Sequence, residues 1–174
     1  MVIIVMGVTG SGKTTVGEAL AASIGCPFFD ADSFHSAANK AKMSSGIPLT
    51  DDDRWPWLAA IRARIDTLLA AGEFGVFGCS ALKAAYRQVL GEGDARVRFV
   101  YLHGTEALLA ERLRHRVGHF MNPALLASQI ATLEEPASAV RIEVALPLAA
   151  QIREIRRTLS LESGHPQDPT SDRA

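Results

Sequence analysis

Apolar residues fall in short blocks along the chain, and segments with helical spacing separate the blocks. Residues 2–6 are a continuous apolar run, Val2-Ile3-Ile4-Val5-Met6, too short for a helix and read as a buried strand. After a glycine-rich gap, Val16, Ala19, Leu20 and Ile24 share one face of a helix predicted over 12–24, with Gly25 as its stop. Cys26-Pro27-Phe28-Phe29 predicts a second short strand, ending at Asp30-Ala31-Asp32. Residues 33–53 are polar, with a turn at Gly46-Ile47-Pro48. Leu58, Ile61, Ile65, Leu68 and Leu69 mark a helix starting at Trp55, with Pro56 in its first turn. A strand over 74–78 follows, its two glycines either weakening the strand pattern or marking a close backbone approach. Ser80 is placed to cap a helix holding Leu82, Tyr86 and Leu90.

The same alternation continues to the C-terminal side. Residues 97–102 read as a strand, and 106–116 as a helix with Ala107, Leu108, Leu109 and Leu113 inward. After a break at 117–122, Pro123 starts a helix to about Leu133, 142–145 is the last strand, and Pro147 opens a final helix. Strands alternating with helices predict an α/β fold with a five-stranded parallel sheet covered on both faces. Residues 1–159 form one domain, and the polar stretch 160–174, with Gly164, Pro166 and Pro169, is expected to be a disordered tail.

Composition narrows the classes. At 174 residues and 48% hydrophobic, the chain can bury one substantial core. A formal net charge of −1 argues against nucleic acid or an anionic membrane as partner. Cys26 and Cys79 do not make a disulfide framework, and free thiols fit a reducing compartment. No apolar run reaches membrane-span length, and the apolar start lacks a basic leader pattern. A soluble, cytoplasmic protein is expected.

The gap after the first strand carries the strongest chemical signal. Gly7-Val8-Thr9-Gly10-Ser11-Gly12-Lys13-Thr14 matches G-x-x-x-x-G-K-[ST], between a strand and a helix. Its glycines let backbone N–H groups close on a phosphate, and the start of the following helix favours an anion. Lys13 adds charge at the β/γ-phosphates, and the Thr14 hydroxyl is placed for Mg²⁺. Without an Asn-Lys-x-Asp guanine-reading element, the pattern favours ATP.

Other residues admit two readings each. Asp30 and Asp32, two apart in an extended segment, would point the same way. They could divide metal support and proton acceptance, or be solvated turn residues. Asp51-Asp52-Asp53 suits a helix start, while Lys42 and Arg54 could donate to a carboxylate or polyol. Arg112, Arg114 and Arg116, with His115 and His119, are either a solvated helical face or a lid that brings an arginine to the phosphates. Cys79-Ser80 reads as small residues at a strand end rather than as a nucleophile.

The ordered series of motifs resembles the small phosphate-loop gluconokinase family, related in fold to shikimate kinase and the nucleoside monophosphate kinases. It comprises residues 6–14, Phe29-Asp30-Ala31-Asp32-Ser33-Phe34-His35, Lys42-Met43 through Gly46, Pro48-Leu49, Asp51 to Arg54, Pro56-Trp57-Leu58, Cys79-Ser80-Ala81-Leu82-Lys83 with Tyr86-Arg87, Tyr101-Leu102, Arg112-Leu113, Arg116, Gly118-His119-Phe120 and Leu133-Glu134-Glu135-Pro136. The resemblance implies a three-layer P-loop NTPase fold with a short lid over about 112–124. It also implies phosphorylation of D-gluconate on its 6-hydroxyl with ATP and Mg²⁺. ATP would be held by Gly7 through Thr14, with Thr15 and Arg112, and the metal by Thr14 and Asp30. Lys13, Asp32 as base and Arg116 as lid arginine would be catalytic. Asp32, His35, Lys42, Arg54, Lys83 and Arg87 would face the substrate. A homodimer is implied by resemblance alone. The chain departs from the family at Ala31, Ser36, Met121 and residues 145–149. The competing readings are a kinase for shikimate-like or nucleoside monophosphate acceptors, and a nucleotide-binding switch without transfer activity.

Overall fold

A computed structural model describes residues 1–114 and 123–161, without the side chains of 123 and 124. Arg116, the predicted lid except for its two ends, and residues 162–174 of the predicted tail lie outside the described residues. The elements in order are β1 (Val2–Met6), α1 (Lys13–Ile24), β2 (Phe28–Asp30), a 3₁₀ turn (Ala31–Phe34), α2 (Ala37–Ser44), α3 (Asp51–Ala70) and β3 (Gly75–Gly78). They continue with α4 (Ala84–Leu90), β4 (Val97–His103), α5 (Glu106–Arg114), α6 (Pro123–Thr132), β5 (Val140–Glu143) and α7 (Leu148–Thr158).

The strands form one parallel sheet in the order β2-β3-β1-β4-β5. β1 is central and every one of its residues is buried. Its alternating side chains serve two cores. Val2, Ile4 and Met6 pack with Leu58, Ile61, Ile65 and Leu68 of α3 and with Tyr86 and Leu90 of α4. Ile3 and Val5 pack with Val16 and Leu20 of α1, Leu109, Leu126 and Ile155. This is the predicted five-stranded, doubly covered sheet. Strand C-terminal ends all point one way, so the loops after β1, β2 and β3 converge.

Helix α1 sits unusually close to the sheet. A Cβ on Gly17 would lie 2.4 Å from Cε2 of Phe28, whose ring also covers Gly78. That closeness fixes the height of the glycine loop above β2 and β3.

Four local expectations need correction. The polar stretch after Asp32 contains helix α2. Ser36 caps it by accepting from the Asn39 backbone N–H, and the one buried residue in it is Asn39. A helix without an apolar stripe leaves no periodic signal. Helix α3 begins at Asp51, not Trp55, so Pro56 lies inside it. Its start is set by a capping box: Thr50 accepts from the Asp53 N–H, and the Asp53 carboxylate accepts from the Thr50 N–H. Ser80 caps nothing; α4 starts after Lys83. The last strand is Val140–Glu143, two residues earlier than predicted.

Asp53 also ties α2 to α3. Its carboxylate takes a 2.6 Å ion pair from Lys42, and its carbonyl accepts from buried Asn39. The Lys42 ammonium first, then the Thr50 N–H, hold the Asp53 carboxyl down to about 2 from its ordinary 3.8. A depressed acid stabilises the folded state above its unfolded value, and that contribution is lost as pH falls through the folded value. In urea titrations, the stability difference between the protein and Asp53→Asn should therefore be constant above about pH 5 and shrink between about pH 4 and pH 2. A difference that does not change with pH would contradict the ion pair.

Gly17→Ala sets helix propensity, a gain of about 1 kcal/mol, against overpacking on Phe28, a cost of about 1–3 kcal/mol. A net loss is expected by denaturant unfolding, and a smaller loss in a Phe28→Leu background. Equal losses in the two backgrounds would contradict the contact.

Candidate active site: a phosphate loop facing two aspartates

The loop between β1 and α1 turns on glycines in the left-handed region. Gly10 has φ 80° and Gly12, which caps α1, has φ 90°. A Cβ at Gly7 would lie 2.9 Å from the Leu102 carbonyl, so any larger residue would push the loop off the sheet. Val8 and Ser11 are buried beneath the loop, while Thr9, Gly10, Gly12, Lys13, Thr14 and Thr15 line a crevice of about 800 Å³. Lys13 folds back so that Nζ donates to the Val8 carbonyl at 3.1 Å. The crevice thus presents amide donors, an ammonium and a hydroxyl together at a helix start, which is an anion site.

Asp30 and Asp32 form the opposite wall. They do not stand in a regular strand as expected. Asp30 ends β2 and caps the 3₁₀ turn, its Oδ1 accepting from the Asp32 N–H at 3.0 Å. Strand alternation is therefore not what brings both carboxylates to the crevice; a side-chain cap is. Ser80 and Gly78, after β3, complete this wall. Ala81 follows with φ 46°, an uncommon conformation for a residue with a Cβ. The Cys79 thiol is pushed up to about 12, chiefly by burial, and stays protonated at neutral pH.

Arg112, at the end of α5, lines the same crevice, and its Nη2 donates to the Val144 carbonyl. The departing segment 145–149 thus follows directly on the carbonyl that holds Arg112.

The remaining predicted acceptor residues lie beside this crevice rather than on its wall. His35 is buried and stacks on Trp57, ring centroids 4.4 Å apart. Burial lowers its pKa, opposed by the charge of Asp32 and reinforced by that of Arg54. Trp57 is itself anchored, its Nε1 donating to the Ala31 carbonyl at 2.7 Å. Arg54 and Lys83 share one acid: Asp51 accepts from Lys83 at 2.8 Å and from the Tyr86 hydroxyl at 2.5 Å, with Arg54 at 3.6 Å. Hydrogen bonds from Lys83 and Tyr86 hold the Asp51 carboxyl below its ordinary value, and Asp51 in turn raises Lys83. Lys42 is engaged by Asp53.

Arg87 requires correction as a substrate contact. It is buried, its Nε is paired with Glu92, and its Nη1 donates to the carbonyls of Ala81, Leu82 and Glu134. It holds the loop after β3 against the loop after α6. Glu134 completes the stitch: its N–H donates to Leu82, and its carboxylate accepts from the Ala84 N–H at 2.6 Å. Within the Leu133-Glu134-Glu135-Pro136 motif, Glu134 is thus engaged in holding two loops together.

Three site residues had escaped the sequence reading. Asp51 and Tyr86 order Arg54 and Lys83. Gln129, on α6, lines the crevice and accepts from the Thr9 N–H at 2.6 Å. The available signal for it was a lone amide in an otherwise apolar and small-residue helix.

The AAA domain model AAA_33 matches residues 2–136. A probable gluconokinase of Dictyostelium discoideum is 51% identical over 142 residues, covering 78% of this chain and 71% of its own. A crystal structure of a gluconokinase from Sinorhizobium meliloti 1021 is 52% identical, with a TM-score of 0.81 over 91% of this chain and 90% of that one. A shikimate kinase from Aquifex aeolicus vf5, 18% identical with a TM-score of 0.54 over 92% of this chain and 96% of that one, shares the fold. A nucleotide loop on a P-loop kinase fold, at half identity to these sequences over most of both chains, places the chain in the gluconokinase family.

Proposed function

We propose that the protein transfers the γ-phosphoryl group of ATP to the 6-hydroxyl of D-gluconate, giving 6-phospho-D-gluconate and ADP. The observation that carries this reading is the placement of Asp32 across one crevice from Lys13 and the phosphate loop, in a chain half identical to gluconokinases. Phosphoryl transfer asks a protein mainly for alignment and charge. The loop amides and Lys13 take the phosphate oxygens. Asp32 accepts the proton of the attacking hydroxyl as the new P–O bond forms and the bond to ADP breaks.

Asp30 and Thr14 fit Mg²⁺. Asp30 is held by its cap through Oδ1, which leaves Oδ2 outside that bond, and Thr14 lines the facing wall of the same crevice. One carboxylate and one hydroxyl suit an ion that keeps several waters and phosphate oxygens as ligands. When bound, the ion would offset phosphate charge.

Gluconate brings a carboxylate and a run of hydroxyls. Arg54 and Lys83 are the cations suited to the carboxylate, with His35 beside them and Lys42 farther along α2. Arg112 serves the nucleotide side. No helix among the described residues is long and apolar enough to cross a membrane, which accords with a cytoplasmic setting. The homodimer in this reading rests on family resemblance.

ADP release measured across gluconate, shikimate, other sugar acids and nucleoside monophosphates tests the acceptor. Turnover should depend on gluconate; turnover with another acceptor alone, or acceptor-independent hydrolysis, would overturn the reading. Asp32→Ala should keep ATP binding and lose kcat by about 10²–10⁴-fold. An unchanged kcat would remove Asp32 as the base.

A further inference from the structure

Helix α6 takes no part in the phosphate loop's own sequence, yet one of its side chains hydrogen-bonds the loop backbone. Gln129 Oε1 accepts from the Thr9 N–H at 2.6 Å, across 120 residues of sequence. The donor on Thr9 fixes the amide's orientation: oxygen to the loop, Nε2 away from it. Gln129 is half-buried and lines the crevice, and Nε2 has no hydrogen-bond partner among the described residues. Leu126 and Ile130, on either side of it, anchor α6 in the core.

The position along the loop decides which phosphate this amide meets. Lys13 Nζ donates to the Val8 carbonyl, and the Thr9 N–H belongs to the same peptide group. One peptide plane therefore joins the Lys13 ammonium on one side to the Gln129 amide on the other. Hydrogen bonds in such a chain polarise one another, and the ammonium strengthens the Thr9 donor. Lys13 serves the β/γ-phosphates, so the free amide hydrogens of Gln129 lie at the terminal-phosphate end of the crevice.

Resting on the kinase reading above, we propose that Gln129 is a further catalytic residue, locked through Oε1 onto the Thr9 amide so that Nε2 donates a hydrogen bond to the transferring phosphoryl group. Charge gathers on those oxygens during transfer, and a preorganised donor acts there without reorganisation. The same donor has nothing to meet in ADP.

Two variants separate this role from structural support. Gln129→Glu keeps the acceptor for Thr9 and replaces the donor by a negative oxygen. Gln129→Met keeps the length and removes both functions. Each is measured for gluconate-dependent kcat and for affinity toward ADP and toward a non-hydrolysable ATP analogue. Both should lose about 100-fold in kcat. Analogue affinity should fall roughly tenfold, most in Gln129→Glu, while ADP affinity stays within about threefold. A kcat within threefold of the parent, an equal loss for ADP and analogue, or a tighter analogue in Gln129→Met would each overturn the proposal. The last outcome would mean that the amide merely plugs the loop. The ratio of analogue to ADP affinity needs no acceptor, so it tests Gln129 even if the parent shows no turnover with gluconate. That second failure would count against the acceptor assignment alone.

Discussion

Backbone amides bind a phosphate strongly only if they are held converging before it arrives. In this protein that constraint falls on the six residues between β1 and α1 and on the first turn of α1. β1 is the central strand and is wholly buried, with a core on each face. α1 is seated on the sheet through the Gly17–Phe28 approach. With both ends fixed, the loop's glycines can hold left-handed turns that an unanchored segment would not keep. The parallel sheet then brings the ends of β2 and β3 to the same edge, so Asp30, Asp32 and Ser80 face the loop.

The acceptor side is organised by charge rather than by strand geometry. Two acids at the start of α3 each hold a cation from another element. Asp53 holds Lys42 of α2, and Asp51 holds Lys83 at the entrance to α4. Arg54 lies against the second pair and against Tyr86. The first turn of α3 therefore sets where positive charge stands on the acceptor side. Arg87 and Glu134 do comparable work behind the wall, fixing the loop after β3 by bonds to its carbonyls and amides.

Much of this was legible in the sequence, where local pattern and structure share a cause. The loop, β1, α1, β4 and the parallel α/β order follow from spacing, because burial imposes the spacing. What was not legible lacks such a cause. α2 buries a single polar residue and so leaves no apolar period. At α3 the proline suggested a first turn, but the Thr50–Asp53 capping box decided the start. Asp30 and Asp32 were placed by strand alternation, although a cap holds them. Arg87, read as a substrate cation, is consumed by carbonyls from two loops that only the fold brings together. Gln129 reaches Thr9 across 120 residues; the lone amide in α6 marks the residue but not its partner. Family resemblance supplied the acceptor, which residue spacing alone left open among several small molecules.

The central claim is that one crevice moves a phosphoryl group from ATP to the terminal hydroxyl of gluconate. Its most direct test is the product itself. ³¹P and ¹³C spectra of the protein with ATP, Mg²⁺ and ¹³C-labelled gluconate should show ADP and a phosphomonoester growing in equal amounts, with phosphorus coupling at carbon 6 of the acceptor. ADP with inorganic phosphate and no ester, or an ester on another carbon, would contradict the account.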